Sequence, residues 1–225
     1  MADTIEITIN DKTVKAAAGR TILDVCRANG IEIPTLCHHE TLEGYGSCRV
    51  CVVELVRNGW SQLVTSCIYP VRQPIVVRTD SDKVRRARKL VLELLLARCP
   101  GSDLIREMAA EYGVDETRFP VRGETLCILC GNCVRVCREV VGANAIGFAN
   151  RGAARDVVTP FKEPTDACIA CGACAYVCPT GAITIEDVEG VRKIAPLNLE
   201  RPLRKCPECG KYFAPEPLLE HLREK

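Results

Sequence analysis

Cys127-Ile128-Leu129-Cys130-Gly131-Asn132-Cys133-Val134-Arg135-Val136-Cys137 and Cys168-Ile169-Ala170-Cys171-Gly172-Ala173-Cys174-Ala175-Tyr176-Val177-Cys178-Pro179 are one pattern written twice. Successive two-residue gaps let three thiolates from one short loop converge on one face of a cubane. The fourth ligand of each cluster comes from the other block. The spacing therefore predicts two [4Fe–4S] clusters, one on Cys127, Cys130, Cys133 and Cys178, the other on Cys168, Cys171, Cys174 and Cys137. Gly131, Gly172, Ala170 and Ala173 are small enough for backbone N–H groups to approach the sulfides. Zinc knuckles are the alternative, but they use one two-residue gap per pair of ligands rather than two in succession.

Upstream, Cys37-x10-Cys48-x2-Cys51-x15-Cys67 places three cysteines on or just after an irregular loop, 37–49, that carries Gly44 and Gly46. A fourth returns after a hairpin. The set reads as a [2Fe–2S] site with a longer first gap than the plant-type pattern, and zinc is again the alternative. His38 and His39 could suggest a Rieske site, but four cysteines are already present, so the histidines read as flanking or surface residues. Around this set, Ile5–Ile9 alternates as a strand, Asn10-Asp11-Lys12 turns, and Thr13–Lys15 returns. Thr21 caps a short helix through Asn29, ended by Gly30. Val50–Val56 and Pro74–Arg78 read as further strands, giving a compact α+β unit.

From Ser81 to Arg98 the apolar period becomes helical, with Val84, Ala87, Val91, Leu94 and Leu95 predicted on one buried face. Ser102 or Asp103 starts a second helix running to about Gly113. The basic residues Lys83, Arg85, Arg86 and Lys89 read as a solvated or partner-facing side rather than a polyanion site. At the other end, Cys206-Pro207-Glu208-Cys209-Gly210 forms a knuckle suited to zinc or rubredoxin-type iron, with an unoccupied turn as the alternative. His221, on a helix predicted over 216–224, is a candidate third ligand. Cys26 and Cys99 stand alone and read as buried thiols.

Sixteen cysteines in 225 residues could instead mean disulfides. Met1-Ala2-Asp3-Thr4-Ile5-Glu6 has no basic start and no apolar core, so no signal peptide is expected and a reducing cytoplasm is. The longest apolar stretch, Leu90–Ala97, is broken by Glu93 and too short to span a bilayer. Thirty basic against twenty-nine acidic residues leave a net charge of +1, which argues against a nucleic-acid or anionic-membrane partner.

Ile33-Pro34-Thr35-Leu36-Cys37-His38, Gly46-Ser47-Cys48-Arg49-Val50-Cys51 and Cys133-Val134-Arg135-Val136-Cys137 together resemble the iron–sulfur subunits of NAD-linked hydrogenases and formate dehydrogenases. They are also similar to the start of the large iron–sulfur subunit of respiratory complex I. The resemblance covers roughly residues 3–190. It implies a β-grasp [2Fe–2S] ferredoxin domain (1–80), a helical connector (81–118), a bacterial-type two-[4Fe–4S] ferredoxin-like domain (119–190) and a short metal-knuckle tail (191–225). Arg138 stands where generic ferredoxins carry proline, as in the hydrogenase and complex I pattern. Relatives often bind another cluster in the connector through one histidine and three cysteines. Here Ala97–Leu104 holds only Cys99, so that cluster is expected to be absent.

No G-x-G-x-x-G, no G-x-x-x-x-G-K-[ST] and no C-x3-C-x2-C block is present. Every expected cluster is fully ligated by cysteine, which leaves no open position for substrate. The chain is thus expected to relay single electrons and make no bonds. The resemblance implies an NAD(P)-reactive flavoprotein and a small thioredoxin-like [2Fe–2S] subunit on one side. On the other it implies a hydrogenase catalytic subunit, or alternatively a formate dehydrogenase. Electron bifurcation with free ferredoxin is compatible with it. A freely diffusing ferredoxin-like carrier is the rival, and it has no need of the connector or the tail.

Overall fold

The computed structural model describes residues 4–57, 59–121 and 123–224. Met1–Asp3, the start of the stretch read for a signal peptide, lies outside them. The chain divides into two units, residues 1–38 with 43–130, and residues 39–42 with 131–225.

The first unit begins with β1 (Thr4–Ile9) and β2 (Lys12–Ala17), an antiparallel hairpin. Asn10 and Asp11 both take positive φ, the backbone of a tight turn that matches strand twist. Helix α1 (Ile22–Ala28) starts at a reciprocal capping box: the Asp24 N–H donates to Thr21 Oγ1, and the Thr21 N–H donates to the Asp24 carboxylate. Strands β3 (Val52–Arg57), β4 (Trp60–Thr65) and β5 (Val76–Arg78) complete a mixed five-stranded sheet of order β2-β1-β5-β3-β4, with β5 parallel to β1. Ile7 and Ile9 of β1 point into the core as the alternation predicts. There they meet Ile22, Leu23, Val53, Leu55, Val71 and Val77, all fully buried. Each such side chain contributes about 1.5–3 kcal/mol of transfer free energy.

β3 does not alternate: Val52, Val53, Glu54 and Leu55 are all buried. Helix α2 (Asp82–Arg98), capped by Ser81, packs against β3, so both faces of the strand are covered. Helix α3 (Asp103–Glu111), capped by Ser102, packs in turn on α2. The predicted face of α2 needs correction. Val84 is buried as expected, but Ala87, Val91 and Leu95 are only half-buried and Leu94 is 47% exposed. The buried stripe is Val84, Arg88, Leu92 and Leu96. A cation occupies its second position because Arg88 donates to the Val52 carbonyl at 2.8 Å and to the Tyr112 hydroxyl at 3.1 Å. A reading that places charge outside rotates the helix away from that stripe.

In the second unit, α4 (Asn132–Arg135) runs into a π turn over Val136–Val141, closed by Gly142 at φ +83°. A short antiparallel pair follows, β6 (Gly147–Ala149) with β7 (Asp156–Val158). The single-turn helix α5 (Ala173–Tyr176) is succeeded by β8 (Thr184–Val188), β9 (Val191–Ala195), β10 (Leu199–Lys205) and β11 (Tyr212–Pro215). These four strands make an antiparallel sheet of order β11-β10-β9-β8, and α6 (Glu216–Arg223) packs on β10 and β11. The core of this unit is thin. Ile146, Ile183, Ile194, Leu197 and Leu199 share it with Cys133 and Ala170, and Cys137, Cys168 and Cys174 pack against it. No helix among the described residues is long and apolar enough to cross a membrane.

Candidate metal centres

In the first unit, Cys37, Cys48, Cys51 and Cys67 are all buried, the most exposed at 9%. Cys48 and Cys51 flank the entry to β3, Cys67 follows β4, and Cys37 ends the segment that leaves α1. The thiols are gathered as two pairs. The Cys48 N–H donates to Cys37 Sγ at 3.3 Å, and the Cys51 and Cys67 sulfurs are 3.3 Å apart. That is too long for a disulfide and short enough for one proton to be shared. Within each pair the thiol–thiol hydrogen bond drives one member down, Cys48 to about 6 and Cys51 to about 7. Their partners Cys37 and Cys67 are pushed well above the ordinary thiol range, first by that hydrogen bond and then by burial. Two thiol pairs, each with one member inclined to ionise, supply soft donors, while among the described residues no three histidine, cysteine or carboxylate side chains converge as a group for a single metal ion.

The loop around them has no room for side chains. A Cβ on Gly44 would lie 2.5 Å from the Cys67 carbonyl oxygen, and one on Gly46 only 2.8 Å from Ile68 Cδ1. The two glycines let the loop close over the thiols. His39 turns its Nδ1 to Thr41 Oγ1 at 2.9 Å, which engages that nitrogen within its own loop.

The two cysteine blocks share a backbone design. Leu129 and Ala170, each two residues after the first cysteine, take φ +54° and +53°; Gly131 and Gly172 take +82° and +87°. Left-handed residues at alternate positions curl each loop so that N–H groups turn inward toward sulfur. The Leu129 N–H donates to Cys127 Sγ at 3.4 Å, the Ala145 N–H to Cys137 Sγ at 3.3 Å, and the Ala182 N–H to Cys178 Sγ at 3.2 Å. Such bonds favour thiolate and stabilise an anionic cluster. The blocks differ where they end. Pro179 stops the second, whereas Arg138 lets the first continue into the π turn.

Cys137, Cys168, Cys171 and Cys174 line one cavity, whose apolar wall is formed by Ile146, Ile194, Leu197 and Leu199. Burial pushes the Cys168 thiol up, and burial with the neighbouring thiols raises Cys174 to about 12. A dry, thiol-lined cavity is poorly suited to free thiolates and well suited to a cluster that neutralises them. Of the other predicted set, Cys127 and Cys130 belong to the first unit, and Cys133 and Cys178 to the second.

In the tail, the Cys206 N–H donates to the Lys211 carbonyl and the Gly210 N–H to the Cys206 carbonyl, with Gly210 at φ +69°. The N–H groups of Cys209 and Glu208, then the Cys209 thiol, hold Cys206 below the usual thiol range. Among the described residues no third histidine, cysteine or carboxylate joins the pair in a metal-holding group. His221 is half-buried on α6. Cys26 and Cys99 are fully buried, and burial raises them to about 11 and about 12.

Sequence reasoning misses the arginines that hold the cluster loops. Arg98 Nε donates to the Cys127 carbonyl at 3.2 Å, and Arg201 Nε to the Cys168 carbonyl at 3.0 Å, equivalent positions in the two blocks. The partners are 29 and 33 residues apart in sequence, and nothing local to either arginine marks it.

Comparison with known proteins assigns a domain type to each of these regions. Residues 2–82 match a 2Fe-2S iron-sulfur cluster binding domain, and residues 126–182 a 4Fe-4S dicluster domain. NADP-reducing hydrogenase subunit HndD of Solidesulfovibrio fructosivorans is 34% identical over 80% of this chain and 36% of its own length. The mitochondrial NADH-ubiquinone oxidoreductase 78 kDa subunit of Neurospora crassa is 32% identical over 80% of this chain and 27% of its own. The chain thus spans about a quarter to a third of these curated relatives. A chain of an NAD+-reducing [NiFe]-hydrogenase, solved in the H2-reduced state, superposes with a TM-score of 0.67 at 28% identity, over 79% of this chain and 86% of that one.

Proposed function

The chain belongs with the iron–sulfur electron-transfer subunits of NAD(P)-linked oxidoreductase and hydrogenase complexes, and from that premise we propose that it relays single electrons through one [2Fe–2S] and two [4Fe–4S] clusters. Cys37, Cys48, Cys51 and Cys67 hold the first, at the end of a β-grasp domain whose assignment rests on the mixed sheet order and the helix against it. Cys168, Cys171, Cys174 and Cys137 hold the second. Cys127, Cys130, Cys133 and Cys178 hold the third, on the strength of their spacing. When bound, the clusters supply one-electron chemistry. The chain's own residues ligate them, exclude water with Ile146, Ile194, Leu197 and Leu199, and direct N–H groups at sulfur.

The observation that carries this reading is the gathering of four buried thiols in the first unit as two hydrogen-bonded pairs with no disulfide. The electron donor is an NAD(P)-reactive flavoprotein, accompanied by a small thioredoxin-like [2Fe–2S] subunit, and the acceptor a hydrogenase catalytic subunit. The likeness to two hydrogenase proteins favours that acceptor over a formate dehydrogenase. A bifurcating complex with ferredoxin as third carrier, and a cytoplasmic location, fit the same reading. Zinc in the tail, on Cys206, Cys209 and His221, requires α6 to bring His221 inward when metal binds.

Anaerobic purification with iron, sulfide and zinc analysis tests the proposal. The expected content is about ten iron and ten sulfide per chain, with a flavoprotein and a hydrogenase subunit copurifying. Zinc without sulfide overturns the cluster assignment, and a brown chain recovered alone overturns the partners.

A further inference from the structure

The dicluster match ends at residue 182, yet the strands beyond it return to the loop of the second block. Arg192 on β9 and Arg201 on β10 are directly paired across the two antiparallel strands, so both side chains leave the same face. Like charges set opposite one another in a sheet destabilise it. These two are also withdrawn from water, with side chains only 17% and 13% exposed. A pair of guanidiniums is kept so close and so dry where something anionic repays it.

What they face is the Cys168–Cys171 loop. Arg192 Nη1 donates to the Ala170 carbonyl at 3.2 Å. Arg201 Nε donates to the Cys168 carbonyl at 3.0 Å, and its Nη2 to the Thr165 carbonyl. At the equivalent carbonyls of the first block, Cys127 receives Arg98 and Leu129 receives the neutral Ser47 hydroxyl, at 3.5 Å. Each arginine also has a carboxylate. Asp187 takes two 2.8 Å bonds from Arg192, and the wholly exposed Asp166 lies 3.5 Å from Arg201. Arg201 is therefore the less neutralised of the two.

We propose that Arg192 and Arg201 are a paired counter-charge for the cluster on Cys168, Cys171, Cys174 and Cys137, and that the β8–β10 strands serve to hold them there. They are positioning residues that bond loop carbonyls rather than sulfur. A cation beside the cluster favours its more negative, reduced state, so the pair raises that cluster's midpoint potential. The inference rests on the dicluster reading proposed above.

The test is an EPR-monitored redox titration of the full iron–sulfur-loaded chain, preceded by iron and sulfide analysis. In Arg201→Gln the reduced-to-oxidised ratio of this cluster at a fixed solution potential should fall about tenfold, a shift of ~59 mV for one electron. The [2Fe–2S] centre should not move, and Arg201→Lys should recover most of the shift. Asp187→Asn unmasks Arg192 and should move the same midpoint upward. Fully loaded Arg201→Gln with an unshifted midpoint overturns the proposal. If that variant loses the cluster, Asp187→Asn decides by itself: an upward shift supports the counter-charge, and a midpoint that is unchanged or lower overturns it. Wild-type chain without the expected iron and sulfide overturns the cluster reading itself, a failure recognised before any titration.

Discussion

The two units surround their cysteines with very different amounts of aliphatic core. In the first, Cys37, Cys48, Cys51 and Cys67 are buried among many aliphatic side chains, Ile7, Ile9, Ile22, Leu23, Leu55 and Val77 among them. In the second, Cys133 is buried and Cys137, Cys168 and Cys174 are half-buried against a smaller aliphatic core. Apart from Cys133, Cys137, Cys168 and Cys174, that core holds the buried Ile146, Ile183, Ile194, Leu197 and Leu199, with Val134, Val157 and Ile185 half-buried against them, to organise a chain of about a hundred. A small unit with so little apolar area needs a staple, and a metal group is one. The second unit is therefore expected to depend on bound metal for its folding more than the first.

The largest effect is expected from removing the metal. Oxidative removal of iron with a chelator should leave amide protection in β1, β3, β5 and α1 nearly intact while abolishing it across β8–β10 and both cysteine blocks. Hydrogen-exchange mass spectrometry on the stripped chain reads this directly. Equal loss of protection in both units would show that the first core also needs its metal.

The asymmetry between the units also explains what can be read from sequence. In the first unit β1, its turn, the Thr21 cap and the start of α2 at Ser81 are local signals, and each stands where periodicity and capping place it. β4 is not legible because its apolar residues Trp60 and Leu63 are exposed while its half-buried or buried positions are Ser61, Val64 and Thr65, so no run of apolar alternation announces it. The face of α2 is misread because Arg88 looks like a surface residue until the Val52 carbonyl across from it is known. In the second unit the doubled loop is legible because the same cysteine spacing recurs and carries left-handed residues at the same positions, Leu129 and Gly131 in one block and Ala170 and Gly172 in the other. The arginines at 98, 192 and 201 are not, since each acts on a carbonyl at least twenty-two residues away.

A smaller effect sharpens the comparison at Arg88. Arg88→Ala leaves the Val52 carbonyl buried without its donor, a loss of about 1–3 kcal/mol, and removes a stem packed beneath α2. Trp60, the single tryptophan, lies on β4 and reports the first unit alone. The urea midpoint followed by its fluorescence should fall, with Arg88→Met falling as well because the orphaned carbonyl persists. The EPR signals of the dicluster unit should be unchanged. Loss of those signals would show that the second unit leans on the first unit's core for its own stability.

The smallest effect separates free thiols from ligand thiols by pH. Burial raises Cys26 to about 11 and Cys99 to about 12 in the folded first unit, while in the unfolded chain both ionise near the ordinary thiol value. Below that ordinary value both states hold the proton, and the stability is fully present. Above it the unfolded chain sheds protons that the folded one keeps, so stability falls as pH rises toward the folded values. The folding constant read through Trp60 should drop a few-fold per thiol between about pH 9 and 10. Cys26→Ala and Cys99→Ala should each flatten the decline, and the double variant should remove most of it. Cysteines that ligate a cluster are already deprotonated when bound, so the dicluster unit should show no comparable decline over the same interval. A parallel alkaline loss of its cluster signals would mean that its cysteines carry protons, and would count against ligation by thiolate there.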